Sequence, residues 1–372
     1  MTALPSGLAP SRITIDLAAL AANWRTMRDL AAGAETAAVV KADGYGLGAE
    51  PVTRALLDTG CRTFFIATAA EGAGVRRIAP HAVVYVLGGL VEGGAARLIE
   101  SHLRPVLGSL AEAEEWAAAA HASEAALPAA IHVDTGMNRL GLTFEEAQTL
   151  ADRLALLGGF EPTLVMSHLA CADEPAHALN ARQRDAFAAV RALFPGVPGS
   201  LANSAGVMLG PAYHHDLVRP GIALYGGSPR GEIPGPMRPV VRAEAQILRV
   251  RRAAAGETVG YGATQRLRRD TVLAILAAGY ADGYHRAGSS SDARPGAEIA
   301  IAGRRAPLVG RVSMDLMAAD VTDLPPGLAV RGAWAELFGD TVSVTEAAAR
   351  AGTIDYELLT QLGRRAERVY VA

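Results

Sequence analysis

One residue is set apart by its type. The chain has 35 Lys and Arg residues, of which 34 are Arg and only Lys41 is Lys. A guanidinium stays charged at any workable pH, whereas an ammonium withdrawn from water can lose its proton and act as a nucleophile or base. A chain that uses arginine for nearly every positive charge either keeps its one lysine for chemistry that needs an amine or carries it as a leftover surface charge. Residue type alone does not separate the two, but the surroundings do. Lys41 closes the apolar run AAVV and opens the glycine-rich stretch KADGYGLG, within residues 37–48. Other residues with chemical capability stand at similar junctions: Tyr45 in the same stretch, Arg139 in HVDTGMNRLG, His168 in SHLACAD, Asn203 and Ser204 in NSAG, and Arg219, Gly221 and Ile222 in RPGIALYG. Nearer the carboxyl terminus come Tyr261 in VGYGAT, Tyr280 in GYADGY, Met314 and Asp315 in GRVSMD, and Tyr356 in DYELL.

The elements that must position these residues follow from hydrophobic patterning. At 372 residues and 38.5 kDa the chain is too long for one ordinary core, so two domains are expected. The first two thirds repeat a short apolar run, a loop and an Ala/Leu-rich segment of helical period, the pattern of βα units around a parallel sheet. Candidate strands fall at 37–41, 63–67, 83–87, 104–107, 130–133, 163–167, 199–203 and 216–219. Helical periodicity is clearest at 110–120, 144–157 and 177–193, and residues 12–30 read as a strand and helix ahead of the repeats. Eight successive units predict a closed TIM-type (β/α)8 barrel rather than an open sheet. The run GGSPRGEIPGPMRP, residues 226–239, cannot hold a helix or central strand, which places a boundary there and predicts domains 1–235 and 236–372. Beyond it, short alternating runs at 243–250, 271–277, 298–302 and 341–344 predict a mainly β carboxyl-terminal domain. The fold class expected is therefore α/β, an amino-terminal (β/α)8 barrel with a carboxyl-terminal β domain.

In such a barrel, chemistry sits at the carboxyl ends of the strands, with phosphate commonly held after strands seven and eight. Lys41 ends the first strand, Arg139 and His168 follow the fifth and sixth, Asn203 and Ser204 end the seventh, and Arg219 and Gly221 end the eighth. Composition narrows the partners. Net charge is −3, pI is about 6.3 and no basic run occurs, which points to a small-molecule enzyme rather than to nucleic acid or an anionic membrane. Residues 1–12 lack the charged start and apolar stretch of a leader, and no segment reaches the roughly 18 apolar residues of a span, so a cytoplasmic protein is expected. Cys61 and Cys171 are too few for a disulfide framework or a cysteine metal site, and no metal is expected.

Taken in order, AVVKADGYGLG, HVDTGMNRLG, SHLACAD, NSAG, RPGIALYG, VGYGAT, GYADGY and GRVSMD resemble the alanine racemase family over almost the whole chain. The resemblance implies a barrel that binds pyridoxal 5′-phosphate, a carboxyl-terminal β domain and a head-to-tail homodimer with shared active sites, acting on L- and D-alanine to supply D-alanine for peptidoglycan. By the same resemblance Lys41 is the Schiff-base lysine and the base on one face of the substrate α-carbon, and Tyr261, supplied by the partner subunit, acts on the other face. Two groups are needed because one base returning its proton to the same face regenerates the starting enantiomer. On residue type alone, Tyr261 between two glycines would be a packed turn aromatic. Arg219 matches the arginine that meets the pyridine nitrogen. Tyr45, Ser204, the amides of Gly221 and Ile222, and Tyr356 match phosphate contacts, with Asn203 beside them. His168 matches the residue packed on the cofactor ring. Arg139 and the Met314 amide match groups for the substrate carboxylate, and Tyr280 and Asp315 belong to the segments lining a narrow substrate passage. Such a passage favours alanine but discriminates only weakly against serine.

One departure matters. Many family members carry a lysine, modified to a carbamate, where this chain has His132, and there is no second lysine to take its place. The carbamate cannot form here; a hydrogen bond from His132 or a bound anion could steady Arg139 instead. Other readings of the chain are a basic amino-acid decarboxylase of related architecture, a non-catalytic protein binding the same cofactor, and a broad-specificity or serine-preferring racemase. The first lacks its acidic pocket in this sequence, and the second would resemble the barrel half alone.

Overall fold

The computed structural model of the protein describes residues 9–233 and 235–372. Residues 1–8, part of the stretch read above as lacking a leader, lie outside the described residues. The backbone forms two compact units, one of Leu20–Leu224 and one of Tyr225–Ala372 together with the amino-terminal residues up to Ala19.

In the first unit, apolar runs buried on both faces make a parallel sheet. Its strands are Ala38–Val39, Thr63–Ile66, Val83–Val86, Arg104–Leu107, Leu127–His132, Phe160–Met166 and Gly199–Ser200, adjacent in chain order. Phe64, Phe65, Ile66, Val84, Leu107, Ile131 and Val165 are all buried, as two-sided burial requires. The eighth strand closes the ring. Leu217–Val218 pairs in parallel with Glu35–Thr36, and Val39 donates its amide to Pro220 at 3.0 Å. On its other side, Asp216 donates to Gly199 at 3.0 Å and Arg219 to Ala202 at 2.9 Å. The first strand, expected as one run at 37–41, is thus two short pieces, Glu35–Thr36 and Ala38–Val39, that bridge the seam of the barrel.

Polar residues in the loops after the strands start the helices that follow. Thr68 and Glu71 form a capping box ahead of Ala69–Ile78, as do Thr143 and Glu146 ahead of Phe144–Leu157; Ser109 caps Leu110–Ser123 and His177 caps Ala178–Leu193. The rim that carries the candidate chemistry is therefore also the rim where helices begin. Cys61 is buried, which pushes its thiol up to about 12, in keeping with an inert thiol.

The second unit is a mainly antiparallel sheet organised on the long strand Val241–Ala253. Its first half pairs with Trp334–Phe338 and, after a register shift near Ile247, its second half pairs with Thr271–Leu276. Ser11–Asp16, counted with the barrel in the sequence expectation, instead runs antiparallel to Val241–Ala253 and parallel to Glu367–Val371. Arg12 faces Glu244 across that pairing and binds it at 2.7 Å while stacking on Trp334, which fixes the register. The run 341–344, expected as a strand, leads into the helix Val344–Arg350 because the Ser343 side chain accepts the Glu346 amide. Trp334–Phe338 takes the strand position instead. Among the described residues no helix is long and apolar enough to cross a membrane.

Candidate active site

Five basic or hydroxyl groups picked out in the sequence, Lys41, Tyr45, His168, Ser204 and Arg219, lie on one rim of the barrel unit. Lys41 follows the first strand at the start of a short helical turn, Lys41–Tyr45, whose backbone is unusual. Ala42, Asp43 and Tyr45 all lie at φ between 54 and 56, in the left-handed region that costs a residue with a Cβ roughly 1–2 kcal/mol. Such a turn persists only when its surroundings dictate it. Here the Ala42 amide donates to Glu71 Oε1 at 2.8 Å, the Ala49 amide to Asp43 Oδ1 at 2.7 Å, and the Gly46 amide to the Ala42 carbonyl at 2.8 Å. The Lys41 amine itself has no hydrogen bond among the described residues. Burial lowers its pKa below the usual lysine range, the Arg139 guanidinium adds to the lowering, and Glu71 opposes both. An amine so placed loses its proton more readily than a surface lysine does.

Arg219 ends the eighth strand with only 3% of its surface exposed. Its guanidinium donates to the Ser167 carbonyl at 2.6 Å, to the Leu201 carbonyl at 3.4 Å and to Ser200 Oγ, and lies 3.4 Å from His168 Nδ1. Ser200 is held in turn by donating to the Leu217 carbonyl at 2.6 Å. Every one of these partners is neutral, so among the described residues Arg219 is a buried cation without a counter-ion. Burial pushes it down to about 9, still charged at neutral pH. His168 sits in the loop after the sixth strand, and burial with the neighbouring Arg219 charge holds its imidazole neutral. That loop is pinned by Gln183, which donates to the His168 carbonyl at 2.9 Å and accepts from the Ala170 amide at 2.8 Å.

Between the seventh and eighth strands the backbone forms a cradle. Asn203 caps the turn Ser204–Met208 by accepting the Gly206 amide at 2.9 Å. Ser204 Oγ accepts the amides of Gly221 at 2.9 Å and Ala223 at 3.3 Å. The Ile222 amide between them takes no acceptor among the described residues although Ile222 is 1% exposed. A Cβ at Gly221 would run into the Tyr45 hydroxyl unless that ring moved. A phenol, a hydroxyl and an unsatisfied amide at the head of a short helix suit an anionic group.

Arg139 stands apart from this cluster. Asp134 folds the loop that carries it by accepting the amides of Gly136 and Met137, each at 2.8 Å, and Asn138 at 2.7 Å. The Arg139 side chain is exposed and has no hydrogen bond or ion pair among the described residues, so no bond from His132 holds it. His132 ends the fifth strand, and its pKa is pushed down to about 4, first by burial and then by Arg219 and Arg139 against Asp134. The ordinary value is 6.5, so between the two values the unfolded chain binds a proton that the folded chain refuses. Stability is therefore fully present above about 6.5 and falls toward pH 4, by about 3 kcal/mol at most from this residue. A His132→Gln variant is expected to show a shallower loss of urea midpoint across that window than the wild type. Equal slopes would remove His132 as a cause.

The remaining candidates belong to the second unit. Tyr261 opens the turn Tyr261–Ala263 between Gly260 and Gly262, both at positive φ, and is 72% exposed. It is therefore not a packed turn aromatic. Tyr280 and Met314 are joined through their backbones: Tyr280 donates to the Ser313 carbonyl and Ala281 to the Met314 carbonyl, both at 3.0 Å. Arg365, which no sequence signal marked, ties the same two loops by binding Asp282 at 3.0 Å and Asp315 at 2.8 Å. Tyr280 and Met314 are exposed, and the Met314 amide has no acceptor among the described residues. Tyr356 lies on Asp355–Thr360, anchored where Asp355 accepts the Ser228 amide at 2.7 Å and the Thr345 hydroxyl at 2.8 Å. The groups missed in the sequence are Glu71, Gln183, Ser200, the Ala223 amide and Arg365. Only Glu71 had a readable signal, the capping box.

The family profile described as alanine racemase, N-terminal domain, matches residues 15–229, and that of the C-terminal domain matches 240–370. The alanine racemase of Methylobacterium nodulans is 53% identical over 97% of this chain and 96% of its own. A biosynthetic alanine racemase of Agrobacterium fabrum is 48% identical, covering 98% of this chain and 94% of that one. Among solved structures, the alanine racemase of Bartonella henselae with covalently bound pyridoxal phosphate superposes with a TM-score of 0.91 at 38% identity, over 97% of this chain and 99% of that one.

Proposed function

The chain belongs to the alanine racemase family, interconverting L-alanine and D-alanine with pyridoxal 5′-phosphate as cofactor, and from that premise we propose which of its residues do so. The observation that carries the proposal is the sole lysine, on the barrel rim, unbonded and with its pKa lowered by burial. The barrel residues fit the cofactor: the cradle of Tyr45, Ser204, Gly221, Ile222 and Ala223 suits a phosphate, with Asn203 supporting it. The family resemblance adds Tyr356 to the phosphate contacts. When bound, pyridoxal phosphate supplies the electron sink that makes the α-proton of alanine removable.

Lys41 holds the cofactor through Nζ and takes or returns the substrate α-proton at that atom. Tyr261 does the same with its phenol oxygen on the opposite face. Its exposure on the second unit supports the reading that it serves a partner subunit in a head-to-tail homodimer. Arg139 and the Met314 amide hold the substrate carboxylate, while Tyr280 and Asp315 limit the side chain admitted. His168 packs against the cofactor ring. The enzyme works in the cytoplasm and supplies D-alanine for peptidoglycan. Following D-alanine and D-serine formation from the L-enantiomers, with purified protein and added cofactor, tests the assignment. D-alanine is expected to form the faster, and racemisation of neither would overturn it.

Arg219 would hold the ring nitrogen in this assignment. A buried cation without a counter-ion would disfavour a proton on that nitrogen and so would moderate the electron demand that the group supplies. An Arg219→Glu variant is expected to racemise more slowly and to convert a larger share of alanine to pyruvate by transamination. An unchanged ratio of pyruvate to inverted product would contradict that role.

A further inference from the structure

The backbone immediately after Lys41 is held by a residue outside every site assigned above. Glu71 accepts the Ala42 amide on Oε1 at 2.8 Å. On Oε2 it accepts the amides of Ala67 at 2.8 Å and Thr68 at 3.3 Å, and its own amide donates to Thr68 Oγ1 at 3.3 Å. One carboxylate thus spans two neighbouring βα loops, and the start of the helix Ala69–Ile78 fixes it in place, where a negative charge is favoured. We propose that Glu71 is the positioning residue for Lys41: by tying the loop after the first barrel strand to the loop after the second, it fixes the backbone from which the lysine side chain rises. The inference rests on the role given to Lys41 above.

One observation supports a specific task rather than ordinary capping, and a second supplies its control. Ala42 is held at φ 54 and ψ 49, a conformation that alanine does not choose by itself, and its amide has Glu71 as its partner. The same device also occurs two units further on without chemistry attached. Glu112 accepts the Gly108 amide at 2.7 Å on one oxygen and the Leu90 amide at 2.9 Å on the other, joining the loops after the third and fourth strands. Neither loop carries a candidate catalytic group, so Glu112 is an internal control. A glutamine cannot replace either residue, because its NH₂ would face an N–H on one side. An aspartate keeps the charge but is one methylene too short to reach both loops.

The single lysine makes the test direct, since lysine labelled with ¹³C gives one side-chain resonance in the full-length protein. Its titration midpoint, measured before the cofactor is added, is expected to move down in Glu71→Gln, because the one carboxylate that opposes the lowering is gone. It stays near the wild-type value in Glu71→Asp and in Glu112→Gln. Hydrogen exchange at the Ala42 amide in the cofactor-loaded enzyme accelerates by at least about tenfold in both Glu71 variants, while Glu112→Gln accelerates Leu90 or Gly108 and leaves Ala42 unchanged. Racemase kcat/KM falls about tenfold in Glu71→Gln. A merely structural role would slow all three variants alike without moving the lysine midpoint, and that pattern overturns the proposal. So does unprotected exchange at the exposed Ala42 amide in the wild type, which needs no variant to fold. If Lys41 were not the reacting amine, activity would survive Lys41→Ala while the titration and exchange results still reported on Glu71.

Discussion

Replacing Lys41 with arginine is expected to abolish racemisation, lowering kcat by about four orders of magnitude or more. Arginine keeps the charge and much of the length but cannot lose its proton or condense with an aldehyde. The cradle of Tyr45, Ser204, Gly221 and Ile222 is untouched by the change, so the variant is expected to bind pyridoxal phosphate reversibly and to lose it on dialysis. Borohydride reduction offers a second readout. Because the chain has one lysine, the wild type is expected to take a single label at Lys41 and the variant none. Retained activity above a few percent of wild type, or cofactor bound but unlinked in the native enzyme, would contradict the role given to this residue.

Replacing Tyr261 with phenylalanine separates the two faces of the reaction. The ring stays and only the hydroxyl is lost, so the turn set by Gly260 and Gly262 is expected to keep its shape. Racemisation in both directions falls by about a thousandfold, within the range for loss of a general acid or base. Proton exchange behaves differently. Lys41 still removes and returns a proton on its own face, so one enantiomer of alanine is expected to exchange its α-proton with deuterated water without inverting, while the other exchanges far more slowly. Mass spectrometry of recovered L- and D-alanine measures this. Equal exchange of both enantiomers, or racemisation close to the wild-type rate, would mean that a single base serves both faces.

Much of this organisation was legible because two-sided burial leaves a strong mark. Continuous apolar runs at 63–67, 83–87 and 104–107 became strands within a residue of those bounds. The turn after Lys41 was not legible, since alanine and aspartate disfavour the left-handed conformation they adopt and only Glu71, 29 positions away, imposes it on Ala42. The amino-terminal strand was assigned to the barrel because its partners, Val241–Ala253 and Glu367–Val371, lie far along the chain and leave no local signature. Residues 341–344 alternate like a strand, but Ser343 and Glu346 supply a helix start that the alternation hid. At the rim, Lys41, His168, Ser204 and Arg219 were placed by the rule that chemistry follows strand ends. Ser200, which orients Arg219, passed as one polar residue in an apolar run. Tyr261, Met314 and Tyr356 carry no such positional cue, and the family resemblance alone marked them.

The central claim is that one chain supplies Lys41 and a second chain supplies Tyr261 to each active site. Mixing the two inactive variants, Lys41→Arg and Tyr261→Phe, after co-refolding in equal amounts, tests it directly. In a shared site, half of the dimers are mixed and each mixed dimer holds one intact site of two, so activity is expected to return to about one quarter of wild type. No recovery, with mixed dimers demonstrated by tagged purification, would place both groups on the same chain and contradict the claim.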